Sequence, residues 1–305
     1  METIKGISPN TTKEYFFDLR TFFRFIKLRH RLVNKETPFT EIDISDIGID
    51  LINKINIQDL HAFISYADKD RNNGNFAKSR KVASLKSFFD YLYSKVNVIS
   101  KNPAAGLEFP KTDARHPVYL TLDECERLLN TILDNKNEIF RKRDYAIVVL
   151  FLNCGLRLSE LSSIDLNKIK DTTLTVVGKG NKERTIYLNQ ACRDAINDYI
   201  KVRPKDTLDD KALFLSMRKK RMSNRAIQHM IDRYLEKAGF DTSVYSTHKL
   251  RHTAATLMYK HGNVDTRALQ EILGHENVST TQIYTHIDDE RLREAVNSNP
   301  LANIR

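Results

Sequence analysis

Near the end of the chain, LGHENVSTTQIYTHI sets Tyr284 between His275 and His286, nine residues after the first of them. A tyrosine attacks poorly at neutral pH because its pKa lies at about 10. It becomes a nucleophile where a neighbour takes its proton and cations surround its target. Three stretches upstream carry such groups. In STHKLRHTAATLMYKHG, His248 and Arg251 lie about 60° apart on one flank of a helix, both in its first turn. Unpaired N–H groups and the helix dipole favour an anion there, so the pair can clamp a phosphate. NCGLRLSELSSI puts Arg157 just past a glycine stop, with Glu160 one turn on and able to orient it. VVGKGNKER holds Lys179 between two glycines at a turn tip, from which it could reach into a groove and deliver a proton.

Taken singly, each group has a plainer reading: a packed tyrosine, a capping histidine, a surface arginine or ion pair, an ordinary turn lysine. His248 and His252 stand at i, i+4, which is also a metal spacing. No acid sits as in H-E-x-x-H and no carboxylate or cysteine completes a set, so no metal site is expected. The G-x-x-x-x-G-K-[ST] phosphate loop is absent.

Helices must position most of these groups. TTKEYFFDLRTFFRFIKLRH sets Tyr15, Leu19, Phe22, Phe23 and Ile26 on one stripe, and NIQDLHAFISYADKD does the same with Leu60, Phe63 and Ile64. Between them, 34–54 reads as a looser stretch with Pro38 and Gly48. A third helix, NFAKSRKVASLKSFFDYLYSK, has Val82, Leu85, Phe88, Phe89 and Leu92 on its apolar side, and Lys78, Arg80 and Lys81 are expected on its polar face. Pro103, Gly106, Pro110 and Pro117 then mark a linker, and the domain boundary is placed between 112 and 113. Beyond it, Thr121 and Glu124 form a capping box, RDYAIVVLFLNCG reads as a buried helix stopped by Gly155, and TLTVV-GKGNK-ERTIYL as a β-hairpin. The remaining segments, from NQACRDAINDYIKVR through STTQIYTHI, read as helices, with Asp265 and Gly274 bounding DTRALQEILG. The expected fold is mainly α with one small antiparallel hairpin.

Composition narrows the partners. Lys and Arg outnumber Asp and Glu by 49 to 39 over 305 residues, which favours a polyanion, nucleic acid first. The run MRKKRMSNRAIQHM adds Lys219, Lys220 and Arg221 just before a capped helix, as groove or backbone contacts or as a solvated charge run. Three scattered cysteines suit a reducing compartment rather than a disulfide scaffold. The N-terminus lacks an apolar leader and YAIVVLFLNC is too short to span a bilayer, so a soluble, cytoplasmic protein without a membrane partner is expected.

The ordered set outweighs its members. Arg157 with Glu160, Lys179 in a β-turn, HKLRH, LGH, and a tyrosine nine residues later resemble the tyrosine recombinase (phage integrase) family over nearly the whole chain. GLRLSEL, GKGNKER, HKLRHT and LGH…TTQIYTH look closest to the XerC/XerD type. The resemblance implies a two-domain, C-shaped DNA clamp: a helical core-binding domain over 1–112 and a catalytic domain over 113–305. It implies site-specific cleavage and rejoining of double-stranded DNA, with Tyr284 as nucleophile and a 3′-phosphotyrosyl intermediate, needing neither metal, ATP nor other cofactor. Arg157 and Arg251 would bind the non-bridging oxygens and His275 would assist them. His248 would take the tyrosine proton or bind the phosphate, Lys179 would protonate the leaving oxygen, and Glu160 would orient the cations. Lys78, Arg80, Lys81, Lys219, Lys220 and Arg221 are the expected DNA contacts. The segment after Tyr284, with Leu292, Ala295 and Val296 on one stripe, would pass to a neighbouring protomer in a synaptic tetramer or pack in cis. A second Xer-like recombinase and a DNA translocase are implied partners in chromosome dimer resolution. Integration or excision of a mobile element, DNA inversion, and a non-catalytic DNA-binding role are the alternatives.

Overall fold

The computed structural model describes residues 9–111, 118–178, 183–262 and 264–274. The chain divides into two compact units, Met1–Ala114 and Arg115–Arg305. The boundary expected between 112 and 113 falls within 112–117, outside the described residues.

The first unit is helical: α1 (Pro9–Arg29), α2 (Ile49–Lys54), α3 (Ile57–Lys69) and α4 (Asn75–Asp90), the last running into one wider turn over Tyr91–Lys95. α3 starts where the Asn56 side chain accepts the Asp59 N–H and the Asp59 carboxylate accepts the Asn56 N–H, a reciprocal cap. The core is aromatic. Phe22 meets Phe63 and Phe89 edge-on at 5.2 and 6.1 Å between ring centres, the arrangement that ring quadrupoles favour. Two sequence expectations change here. The loose stretch 34–54 contains α2, which has no side-chain cap and no fully buried residue; Leu51 and Ile52 hold it against the core. Lys81 is not on a polar face. It lies four residues before Leu85, about 40° round the helix, and is 6% exposed.

The second unit contains α5 (Leu122–Leu133), α6 (Glu138–Cys154), α7 (Leu158–Ser162), a short 3₁₀ turn (Leu166–Lys168), strands β1 (Thr173–Val177) and β2 (Glu183–Tyr187), then α8 (Gln190–Val202), α9 (Asn224–Lys237), α10 (Thr247–His261) and α11 (Thr266–Leu273). α6 is buried on every side from Ala146 to Leu152, as a helix apolar all round must be, and α5, α8 and α10 pack on it. Gly155 ends it in the left-handed conformation, φ 57°. α5 opens with the Thr121–Glu124 capping box. β1 and β2 form a two-stranded antiparallel sheet in which Leu174 faces Ile186 and Val176 faces Arg184. Leu174, Val176 and Ile186 are buried, so β2 residues 184 and 186 share the inward face. α11 closes on α10 through Leu269, Leu273 and Ala255. Among the described residues the protein is thus mostly helical with one small antiparallel sheet. Among the described residues no helix is long and apolar enough to cross a membrane.

Candidate active site

Glu160 is the centre of the site. Its position follows from the glycine stop: Gly155 turns the chain out of α6, Arg157 caps α7 from an extended conformation, and Glu160 stands one turn into the new helix. The carboxylate is 1% exposed and accepts four hydrogen bonds, with Arg251 Nη1 standing 4.0 Å from Oε2 as an ion pair. Two of the four come from Arg157, through its backbone N–H to Oε2 and Nη1 to Oε1, both at 2.8 Å. Two come from Arg184 on β2, Nε to Oε1 at 3.3 Å and Nη2 to Oε2 at 2.9 Å. Burial alone would raise the Glu160 pKa, but the bonds from Arg184 and Arg157 outweigh it and hold the carboxyl below its ordinary value. Three guanidiniums therefore surround one ionised carboxylate, which leaves two positive charges in excess.

The same three arginines take the end of α11. Arg184 Nη1 donates to Ile272 O, Arg251 Nη2 to Leu273 O at 2.7 Å, and Arg157 Nη2 to Gly274 O at 2.6 Å. These carbonyls lie at the negative end of a helix dipole, where cations are favoured. Arg251 also donates to Gly155 O at 2.6 Å, which ties the end of α6 to the end of α11. That closeness needs the glycine: a Cβ on Gly155 would come within 2.7 Å of Leu273 Cδ2. Arg251 is 5% exposed, so it is no surface arginine, whereas the Arg157 side chain keeps 35% of its area open.

His248 and His252 sit on successive turns of α10 with their Nε2 atoms 3.1 Å apart, so one ring donates to the other. Part of the His248 ring reaches solvent, yet its neighbours desolvate it. That burial and the charge of Arg251 push its pKa below the ordinary histidine value, so it is neutral at neutral pH. Among the described residues, no group of three His, Cys, Asp or Glu side chains is placed to hold a metal ion.

Arg157, Glu160 and Arg251 thus come together, and His248 stands near enough to Arg251 to feel its charge. Lys179, His275 and Tyr284 lie outside the described residues, as does the segment after Tyr284. The residue that sequence reasoning missed is Arg184. Its signal was present in the hairpin: in ERTIY the buried Ile186 fixes the inward face, and alternation puts Arg184 on it.

The expected DNA contacts separate into two groups. Lys78 pairs with Asp68 at 2.5 Å, Lys81 with Asp18 at 2.6 Å, and Arg80 with Glu14 and Asp18 at 2.7 and 2.8 Å. Arg221 pairs with Asp165 and Asp209 and donates to the carbonyls of Ser162 and Ile164. Each of these four cations pairs with a carboxylate of its own unit. Lys219 and Lys220 are exposed on a tight turn, and Lys219 makes only a surface pair with Asp206.

Residues 118–291 match the model of the phage integrase family. The chain is 58% identical over 301 residues to tyrosine recombinase XerC of Caldanaerobacter subterraneus subsp. tengcongensis, covering 98% of this chain and 84% of that protein. It is 32% identical over 292 residues to XerC of Leptospira interrogans, covering 95% of this chain and 87% of that one. Among solved structures it resembles XerA recombinase, with 27% identity, TM-score 0.52, and coverage of 97% of this chain and 93% of that one. It shares its fold with XerH recombinase bound to palindromic difH substrate, at 21% identity and TM-score 0.73, with 94% and 79% of the chains covered.

Proposed function

The chain belongs to the phage integrase family of tyrosine recombinases, and from that premise we propose that it is an Xer-type site-specific DNA recombinase working through a 3′-phosphotyrosyl intermediate. The observation that carries the chemistry is the excess of guanidinium charge around Glu160, with Arg157 and Arg251 converging from two distant parts of the sequence. A phosphodiester is the complementary anion, and its transition state gathers more negative charge than its ground state.

Tyr284 Oη attacks the scissile phosphorus; the Oη–P bond forms as the P–O5′ bond breaks. Arg157 and Arg251 hold the non-bridging oxygens, with His275 hydrogen-bonding beside them. His248 takes the tyrosine proton, a role its lowered pKa supports because the neutral imidazole is the basic form. Lys179, which lies between β1 and β2 in the sequence, gives a proton to the departing 5′-oxygen. Glu160 keeps the guanidiniums oriented. The tyrosyl ester conserves the phosphodiester's energy, so a second 5′-hydroxyl can reverse the attack and rejoin the strand. Arginines supply the charge stabilisation that metal ions supply in other phosphoryl transfers.

The helical unit, 1–112 in the sequence reading, is the core-binding part and 113–305 the catalytic part, and both bind duplex DNA. Lys219 and Lys220 contact its backbone. The segment after Tyr284 joins protomers into a synaptic tetramer, and the cellular task is chromosome dimer resolution in the cytoplasm, with a second Xer-like recombinase and a DNA translocase as partners. Deleting the residues after Asn297 should weaken cooperative binding and spare single-site binding.

The test is a nicked suicide duplex recovered by binding selection on the wild-type chain. Wild type should leave a covalent protein–DNA band that maps to the Tyr284 peptide, and Tyr284→Phe should leave none. An adduct that survives Tyr284→Phe removes the assigned nucleophile. Tight binding with no adduct from wild type would favour a non-catalytic DNA-binding protein.

A further inference from the structure

One guanidinium of the site has no part in the chemistry above. Arg184 has all three of its nitrogens committed: Nε and Nη2 to the two oxygens of Glu160, and Nη1 to Ile272 O. Its side chain is 15% exposed, against 35% for Arg157. The two arginines share one carboxylate but stand differently toward solvent, the first enclosed and the second open.

We propose that Arg184 is a positioning residue for phosphate cleavage, holding Glu160 and the C-terminal end of α11 in register so that Arg157 and Arg251 face one phosphate. The proposal rests on the recombinase reading given above. Three features support it. First, the last carbonyls of α11 are taken in sequence by three different arginines, Ile272 by Arg184, Leu273 by Arg251 and Gly274 by Arg157. Shifting the helix end disturbs all three, and Arg184 is the one of them that reaches it from the sheet. Second, the Arg184 stem lies against Gly274. A Cβ there would stand 3.0 Å from Arg184 Cδ and 3.1 Å from Nε, and the backbone at φ 65° already disfavours any other residue. The chain leaves this contact directly into His275. Third, Arg184 satisfies both oxygens of Glu160. Without it, the carboxylate would draw Arg157 toward itself with both oxygens and reduce the charge that Arg157 presents to a substrate.

Arginine is needed because its planar fork bridges two carboxylate oxygens and a carbonyl together; lysine is a point charge that cannot. The β-strand supplies the aim. Residue 184 faces inward with Ile186, so the side chain enters the site from a β-strand, a rigid element.

The experiment compares full-length wild type with Arg184→Gln, Arg184→Lys and Gly274→Ala. The first readout is hydrogen–deuterium exchange without DNA. Arg184→Gln should speed exchange in the peptides covering Leu158–Ser162 and Thr266–Leu273 and leave α1 to α4 unchanged. The second is single-turnover adduct formation on the suicide duplex. Arg184→Gln should slow it by about 100-fold at saturating DNA, as a misplaced constellation does, with duplex affinity little changed. Its acid limb should move to higher pH, because Glu160 loses a main cause of its lowered pKa. A role in folding alone would not move that limb. Arg184→Lys should recover part of the rate, and Gly274→Ala should resemble Arg184→Gln in both readouts. Wild-type cleavage by Arg184→Gln, or by a folded Arg184→Lys if the glutamine variant does not fold, overturns the proposal. So does unchanged exchange at both peptides, even if wild type forms no adduct, a result that would count separately against the recombinase reading.

Discussion

Two carboxylates buried to 1% exposure against basic side chains, Asp18 in the first unit and Glu160 in the second, behave in opposite ways. Asp18 in the helical unit meets Lys81 and Arg80. Burial is the strongest influence on it and raises its pKa, despite both cations and with Glu14 adding to the rise. Glu160 feels burial most strongly too, yet Arg184 and Arg157 hold its pKa down. The difference lies in hydrogen-bond geometry. Glu160 receives a forked guanidinium and a backbone N–H, whereas Asp18 receives a lysine ammonium on one oxygen and shares its arginine with Glu14. One cluster closes on itself as a tie between α1 and α4. The other keeps surplus charge, which is what an anion-binding site requires.

The largest expected effect concerns that surplus. Arg251→Ala should slow covalent adduct formation by on the order of 1000-fold, and the Asp18→Asn rate should stay near wild type. Comparable losses in the two would erase the distinction between tie and site. Next comes stability. Glu160→Gln should cost about 3 kcal/mol at neutral pH, because it leaves buried guanidiniums without their counter-charge. Asp18→Asn should cost less, about 1–2 kcal/mol, since burial already disfavours the ionised form there. Urea titrations of both variants measure this.

Their pH dependence should differ in sign. Glu160 has a folded pKa below its ordinary 4.5, so its contribution is fully present above that value and is lost as pH falls through the folded pKa. Asp18 has a folded pKa above its ordinary 3.8, so its contribution is fully present below that value and declines as pH rises through the folded pKa. The gap between wild type and Glu160→Gln should therefore widen with rising pH, and the gap to Asp18→Asn should narrow. Parallel trends would refute the contrast.

The smallest effect separates exposed cations from engaged ones. Lys219→Glu with Lys220→Glu should weaken DNA binding and lower the steepness of its salt dependence by about 1–2 in the log–log slope. Arg221→Ala should act mainly on stability, because its guanidinium joins Asp165, Asp209 and two carbonyls. A lost salt slope in Arg221→Ala with unchanged stability would reverse that assignment.

Local grammar made much of the second unit legible. The Gly155 stop, the Thr121–Glu124 box, the hairpin and the Asp265 and Gly274 bounds of α11 all depend on neighbouring residues, and they stand where expected. Arg157 with Glu160 was legible for the same reason. The engaged cations were not, because a basic residue reads as surface until its partner is known, and the partners are distant: Asp18 lies 63 residues from Lys81, and Arg184 lies 24 from Glu160. Helical phase alone would have flagged Lys81, and strand phase Arg184. α2 escaped because six residues without a side-chain cap or a fully buried residue leave little pattern to read.

The central claim is that the charge surplus around Glu160 serves the scissile phosphate. The most direct measurement replaces that phosphate in the suicide duplex with a methylphosphonate, which removes one negative charge, and compares adduct formation by wild type and Arg157→Ala. On native DNA the variant should be far slower. On the neutral linkage most of that gap should disappear, because the charge that Arg157 stabilises is gone. An equal gap on both substrates would contradict the account and leave Arg157 a structural role.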